Sequence, residues 1–487
     1  MLGKHYKIVL FYSISVLFLA LNLFFVVQKE SLMVSVLPVV LALVLVAVFS
    51  LDTLLLLVTF FTPLSLPLHD LIPGLSFDMF LPTEPLMVGI LVLFLFKLAE
   101  QKQFDRDILK HPVSLALYFY LGWMLLTSIT STMPVVSIKF WVSKLWFIVA
   151  FYFLGILLFR DKKNIYRFIG LYCAAFIVVI FYAWSRHLGY GFHNDNAAHF
   201  VMNPFYKDHT SYGAMLAFFI PFLIGITFSK DYRQRYRYLA GVGLTLFSMA
   251  LVLSYTRAAW LSLAAAGAVW IVMKLKLRFQ PLFLTALSIL ALVLIFQTQI
   301  LMFLEQNDQE SSANLGAHLS SMTNVTTDAS NLERINRWSS ALRMFEEKPV
   351  LGWGPGTYMF QYAPFQLTRN RTIISTNSAD GGNAHSEYLG PLAESGVLGM
   401  LSFILLVAVI VYIAVHAYTR AKDREVRLII LSAIIGLITY LVHGFLNNFL
   451  DTDKAAVPFW GFVAMIVMFD IYTKKEEANK RAIKKPE

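Results

Sequence analysis

The sequence predicts an all-α, polytopic integral membrane protein of about 12–14 transmembrane helices with one long, partly helical outer loop. Composition is the first sign. Of the 487 residues, 58% are apolar and 14% charged, against about 45–50% and about 25% in an ordinary soluble domain. Mean hydropathy is +0.64. The second sign is length: runs of roughly 20 apolar residues recur from end to end, each able to cross a ~30 Å hydrocarbon core as a helix. Lipid leaves helices or closed barrels as spanning options, and no alternating barrel pattern is present. The third is basic residues gathered in alternate links.

The apolar segments fall near 8–27, 32–49, 51–66, 84–97, 113–130, 137–159, 165–185, 210–229, 238–254, 257–273, 281–303, 395–418, 428–449 and 455–472. Only Ser50 and Asp52 break the second from the third, so twelve or thirteen spans fit equally well. The first begins after Lys4 and Lys7 and reaches Gln28–Lys29–Glu30 without an A-x-A-like cleavage site, which reads as a retained helix. With the N-terminus in the cytoplasm, the inner links around 97–110, 160–167, 230–237, 274–278 and 420–427, together with both termini, hold 27 of the 40 lysines and arginines. That asymmetry orients the chain. The organisation is then a transmembrane bundle over 1–303 (about 11 helices), an outer loop with catalytic elements over 304–394, transmembrane helices over 395–473 and a cytoplasmic tail over 474–487.

The net charge of +10 is therefore a topology signal, and no nucleic-acid partner is expected. The outer interval itself holds six Lys/Arg against ten Asp/Glu. Cys173, the one cysteine, excludes an intrachain disulfide or a cysteine-based metal site and reads as a small apolar side chain. No internal repeat argues for inverted, transporter-like halves.

A large polar interval is excluded from hydrocarbon, so 304–394 is where chemistry is sought. Two segments stand out: ERINRWSSALRMFEEKPVLGWGPG (333–356) and NAHSEYLGPLAESG (383–396). Links 186–209, 254–261 and 447–454 share that face by alternation. Arg257 opens a helix at the outer boundary ahead of Trp260. A charge at membrane depth costs ~2.5–3.5 kcal/mol and so usually has a partner or a task; snorkelling to the headgroups is the plain structural reading. Arg334, Arg337 and Arg343 share a predicted helix with an apolar stripe of Trp338, Ala341, Leu342 and Phe345, ended by Lys348–Pro349. Gly352, Gly354 and Gly356 form a turn; without a following Lys-Ser/Thr they are not a nucleotide loop.

His385, just before a predicted returning helix, reads as a base near neutral pH or as a hydrogen-bonded structural histidine. His187, His193, His199 and His209 lack metal-ligand spacing, so no metal is expected, and no cofactor is implied. Lys139 and Lys144, interleaved with Trp141 and Trp146, read as interfacial anchors, with phosphate holding as the functional alternative.

Together these elements resemble the O-antigen ligase superfamily over roughly 238–420. Its R-x-x-x-L element matches Arg257 to Leu261, and its arginine four residues before a tryptophan matches Arg334 and Trp338. The P-x-L-G-x-G-P-G turn follows at 349–356, and H-x₁₀-G matches His385 to Gly396. Many relatives place Asn directly after the histidine, where this chain has Ser386. The resemblance implies glycan transfer from an undecaprenyl-pyrophosphate donor on the periplasmic side of a bacterial inner membrane. The acceptor would be a sugar hydroxyl, with lipid A–core preferred and another glycan acceptor as the alternative. It assigns Arg257 and Arg334 to the pyrophosphate with Arg337 as substitute, since guanidinium groups bind such oxygens bidentately. His385 becomes the base of a metal-independent, inverting attack. Lys144 and Asp451 stand as substrate-binding candidates, although capping and solvation explain Asn447, Asn448, Asp451 and Asp453 equally well.

Other readings stay open. An O-antigen or exopolysaccharide polymerase is one, because Arg343 to Gly354 also spells R-x₁₀-G. A protein O-oligosaccharyltransferase is a second. A glycan transporter is a third, disfavoured because mid-helix positions are nearly all apolar.

Overall fold

The computed structural model of the protein describes residues 4–30, 34, 35, 37, 38, 41, 45, 46, 49–71, 79–101, 104–275, 332–368, 371, 375, 376 and 382–483. The predicted segment at 281–303, much of 32–49 and the loop residues 304–331 lie outside them. Helices dominate, as the apolar runs require, and ten among the described residues are long and apolar enough to cross a membrane. The chain is an all-α, multi-pass membrane protein.

Contacts divide it into two units, Met1–Val58 and Thr59–Glu487. The first holds α1 (Lys4–Lys29), whose large apolar side chains, Phe11, Leu17 and Leu23 among them, are exposed. Lipid is the cover such a helix needs. After α2 (Leu51–Phe61), the second unit pairs β1 (Leu66–Pro67) antiparallel with β2 (Phe80–Leu81). It continues with α3 (Thr83–Gln101), α4 (Pro112–Ile129), α5 (Pro134–Leu158), α6 (Lys162–Tyr190), α7 (His209–Phe228), α8 (Gln234–Leu253) and α9 (Arg257–Lys274). Beyond the undescribed stretch come α10 (332–347), α11 (Leu389–Arg420), α12 (Arg424–His443) and α13 (Asp453–Ile483).

Helix starts follow from their caps. Asp161, Asp208 and Asp423 each accept a backbone N–H at the first turn of α6, α7 and α12, the usual remedy for orphan donors there. In the second unit, α12 packs on α7 and α9, α4 on α11, and α13 on α5, α11 and α12. Rings knit the centre: Tyr172 stacks on Phe219 at 4.4 Å, and Phe462 sits 4.4 Å from Phe218 and 4.8 Å from Phe222. Between membrane helices, where lipid is as apolar as the side chains, such contact packing is the main attraction.

α10 and the turns after it lie outside the spans and carry a small core of their own. Ala341, Met344, Tyr358, Tyr362, Ala384 and Ala393 are buried together, with Trp353, Phe365 and Leu389 packed against them. Of the apolar stripe predicted for this helix, only Ala341 lies in this core, which Met344 joins from outside the stripe; Trp338, Leu342 and Phe345 are half-buried apart from it.

Candidate functional site

A cavity of about 570 Å³ opens where α10 and the turns meet the ends of the spanning helices. His385, Arg337, Lys144 and Asp451 line it; Arg257 and Arg334 are not among its lining residues. Asp208, Glu387, Asn447 and Lys454 line it as well.

The motif turns assemble one wall. Trp353 N–H and Gly354 N–H donate to the carbonyls of Ala393 (3.2 Å) and Glu394 (2.7 Å), and Val397 N–H donates to Pro349 (2.9 Å). Gly396 breaks α11 with φ +70°, and a Cβ there would lie 2.1 Å from the Val350 carbonyl oxygen. Gly354, at φ +115°, packs so closely that a Cβ would meet Ser131 Oγ at 1.8 Å. The glycine turn is therefore a joint between α10, α11 and the α4–α5 turn.

His385 is held through its backbone. Asn383 Oδ1 accepts its N–H at 3.0 Å, and the Trp338 indole donates to its carbonyl at 3.2 Å. Its φ is +48°, a conformation that costs a non-glycine residue about 1–3 kcal/mol and persists where the surroundings over-determine it. The tryptophan four residues after Arg334 is thus a tie between the two sequence elements. Ser386, in the position where many relatives have Asn, receives the N–H groups of Tyr388 and Leu389 at 3.3 Å and starts α11.

Arg337 is buried, its Nε donating to Glu333 at 2.7 Å and its Nη1 to the Asn383 carbonyl at 3.2 Å, with the guanidinium 5.0 Å from the Tyr362 ring centre. Arg334 stands within electrostatic reach of His385 and Asp208. Burial first, then Arg337 and Arg334, push the His385 imidazole down to about 3, against the opposing pull of Asp208 and a hydrogen bond with Asn447. Burial would raise the Asp208 carboxyl, but hydrogen bonds from Thr210 and Ser211 outweigh it and hold it below the usual range.

On the far side, Lys144 Nζ is 2.6 Å from Asp451 Oδ1 and donates to the Leu450 carbonyl at 3.0 Å. The two substrate-binding candidates are therefore partners of each other. Glu387 shapes their loop, accepting from Tyr440 Oη at 2.5 Å, Phe449 N at 2.8 Å and Leu450 N at 2.9 Å; burial raises its pKa.

The three arginines thus differ in place. Arg337, the expected substitute, faces the cavity; Arg334 lies one turn earlier; Arg257 is exposed at the start of α9. Glu387 and Asp208 had no role in the sequence reading. Glu387 stood inside the H-x₁₀-G element, and Asp208, an acid directly before a helix start, is also explained as a cap.

Residues 242–404 match the family model described as O-antigen ligase. The match supports the O-antigen ligase superfamily. It suggests a transferase-type membrane enzyme of lipopolysaccharide or glycan assembly, and it spans Arg257, Arg334, Arg337, His385 and Gly396. Lys144, Asn447 and Asp451 fall outside it. A search of the curated proteins finds no match.

Proposed function

We propose that the protein moves a glycan from an undecaprenyl-pyrophosphate donor onto a sugar hydroxyl, with lipid A–core as the preferred acceptor, on the periplasmic side of a bacterial inner membrane. The observation that carries this reading is His385 and Arg337 sharing one cavity within the family-matched stretch. A volume of about 570 Å³ falls within the usual range of small-ligand sites.

In this reading the acceptor oxygen attacks the anomeric carbon from the face opposite the pyrophosphate. A new C–O bond forms as the bond from the anomeric carbon to the phosphate oxygen breaks. The acceptor proton passes to His385, and the electron pair leaves on undecaprenyl pyrophosphate. Arg337, supported by Arg334, stabilises the charge growing on the leaving oxygens; preorganised cations at that position are typically a large catalytic contribution. Arg257, at the membrane boundary, keeps a role in drawing in the donor headgroup.

The depressed basicity of His385 fits this order of events. Burial, with Arg337 and Arg334 adding to it, holds the imidazole neutral while no anion is present. A bound pyrophosphate would offset the two guanidinium charges, though not the burial, and so return part of the ring's basicity. Donor binding then readies the base.

The test is transfer of labelled glycan from a lipid-pyrophosphate donor to a core acceptor by protein reconstituted in liposomes. The His385→Ala variant should lose about 10²–10⁴ in rate while its thermal unfolding stays within a few degrees of the parent. Undiminished transfer by that variant would remove His385 from the reaction, and transport of the donor without transfer would overturn the enzyme reading.

A further inference from the structure

Gly382, Asn383 and Ala384 lead into His385, and all three line the cavity. Ala384 is held in the small core beside α10. Asn383, half-buried, joins the base to the cation: its Oδ1 accepts the His385 N–H at 3.0 Å, and its carbonyl accepts from Arg337 Nη1 at 3.2 Å. The guanidinium rests so closely on this turn that a Cβ on Gly382 would stand 1.9 Å from Nη1.

A backbone N–H can only donate, so the side-chain atom facing it is the carbonyl oxygen, and the other end of the carboxamide carries both N–H groups. Nδ2 takes no hydrogen-bond partner among the described residues. The donating end is thus left at the cavity wall, one residue from the glycine on which the guanidinium rests. Arg337 itself is committed through Nε to Glu333 and through Nη1 to the Asn383 carbonyl, so it can offer only part of its fork to a ligand. A pyrophosphate, with charged oxygens around each phosphorus, calls for more donors than that. We propose that Asn383 Nδ2 is a second, uncharged hydrogen-bond donor to the pyrophosphate of the glycan donor, acting beside Arg337 on the oxygens that gain charge as the anomeric bond breaks. This rests on the transferase reading above. An uncharged group suits the place: a further cation would disfavour protonation of His385, whereas an amide binds the anion without adding positive charge beside the base. Through its two ends the carboxamide would hold anion and base in one register.

The experiment measures kcat, donor KM and inhibition by inorganic pyrophosphate for Asn383→Ala, Asn383→Asp and Asn383→Ser in the same liposome assay, with thermal unfolding alongside. Asn383→Ala should raise donor KM and the pyrophosphate inhibition constant by at least about tenfold. Asn383→Asp keeps an oxygen for the His385 N–H but sets a carboxylate against the anion, so it should weaken both further while unfolding within a few degrees of the parent. Asn383→Ser, whose hydroxyl can accept and donate, should recover part of the loss. Donor KM and pyrophosphate inhibition within twofold of the parent in both Asn383→Ala and Asn383→Asp would overturn the proposal. So would a fall in kcat alone in Asn383→Ala that Asn383→Asp restores, because only the tie to His385 would then matter. Should Asn383→Ala fail to insert, Asn383→Asp and Asn383→Ser decide, since both retain the acceptor. An active His385→Ala defeats the transferase reading itself, whereas an inactive His385→Ala beside an Asn383→Asp with the parent's donor KM defeats this inference alone.

Discussion

Both ends of the helices in the larger unit bury charge, and they handle it in opposite ways. At one end Asp470, 0% exposed, receives His111 Nε2 at 3.1 Å and Lys474 Nζ at 2.7 Å, and Arg420 donates to its other oxygen. His111 in turn accepts Val113 N–H through Nδ1 at 3.3 Å and caps α4. That carboxylate is surrounded, and the network ties α4, α11 and α13 together. The cavity end, about 25 Å away along α13 by helical rise, gathers Lys144, Arg337, Lys454, Asp208, Glu387 and Asp451 around open space. Where every charge is consumed inward, the network serves stability. Where charged groups border a void large enough for a ligand, as Lys144, Arg337 and Asp451 do while also pairing within the protein, a ligand can reach them.

Exchanging one cation at the cavity should give the largest effect. Arg337→Lys keeps the charge and loses the planar fork that also holds Glu333 and the Asn383 carbonyl, so transfer should fall by about 10²-fold together with a lower unfolding temperature. Arg257→Lys, exposed and off the cavity wall, should fall by less than roughly tenfold. Equal losses in a side-by-side kcat/KM comparison would erase the distinction drawn between the two arginines.

The opposite end should show the reverse pattern. Asp470→Asn should lower stability by about 1–3 kcal/mol, short of the ~3–5 kcal/mol for a fully buried pair, because Arg420 and Lys474 can reach solvent. Thermal unfolding in detergent would measure it, and donor KM should not move. A change in KM with unchanged stability would mean that this end also serves the substrate.

The smallest effect is in pH dependence. His385 is depressed below its ordinary range to about 3, so the donor-free enzyme keeps it neutral well below pH 6. Its loss of activity by protonation should therefore appear at lower pH in kcat/KM than in kcat, where the bound anion restores basicity. The sign for stability follows from the same shift: between about 6.5 and 3 the unfolded chain takes up a proton that the folded one refuses, so this residue's contribution falls as pH falls. Coincident acid limbs near 6.5 would contradict the coupling of donor and base.

Much of this was legible beforehand, for identifiable reasons. Spans such as His209–Phe228 and Arg424–His443 read out directly, because lipid demands a continuous apolar run and tolerates few exceptions. His385 and Gly396 were picked out by the H-x₁₀-G element of the family resemblance, and the structure gives that element a physical setting: the histidine ends a tied turn, and the glycine lets the α11 backbone pass the Val350 carbonyl. The choice between Arg334 and Arg337 was not legible, since residues three apart on one helix look alike in sequence while only Arg337 lines the cavity. Nor was the Lys144–Asp451 pair, whose members stand 307 positions apart.

Taken alone, the sequence determined the type of the main elements, the orientation signal in its basic links and the stretch in which to look. Those depend on local periodicity and on solvent preference, which each residue carries wherever it lies. The tertiary structure alone decided which charges consume one another and which face open space. That outcome depends on distances of a few ångströms between distant segments.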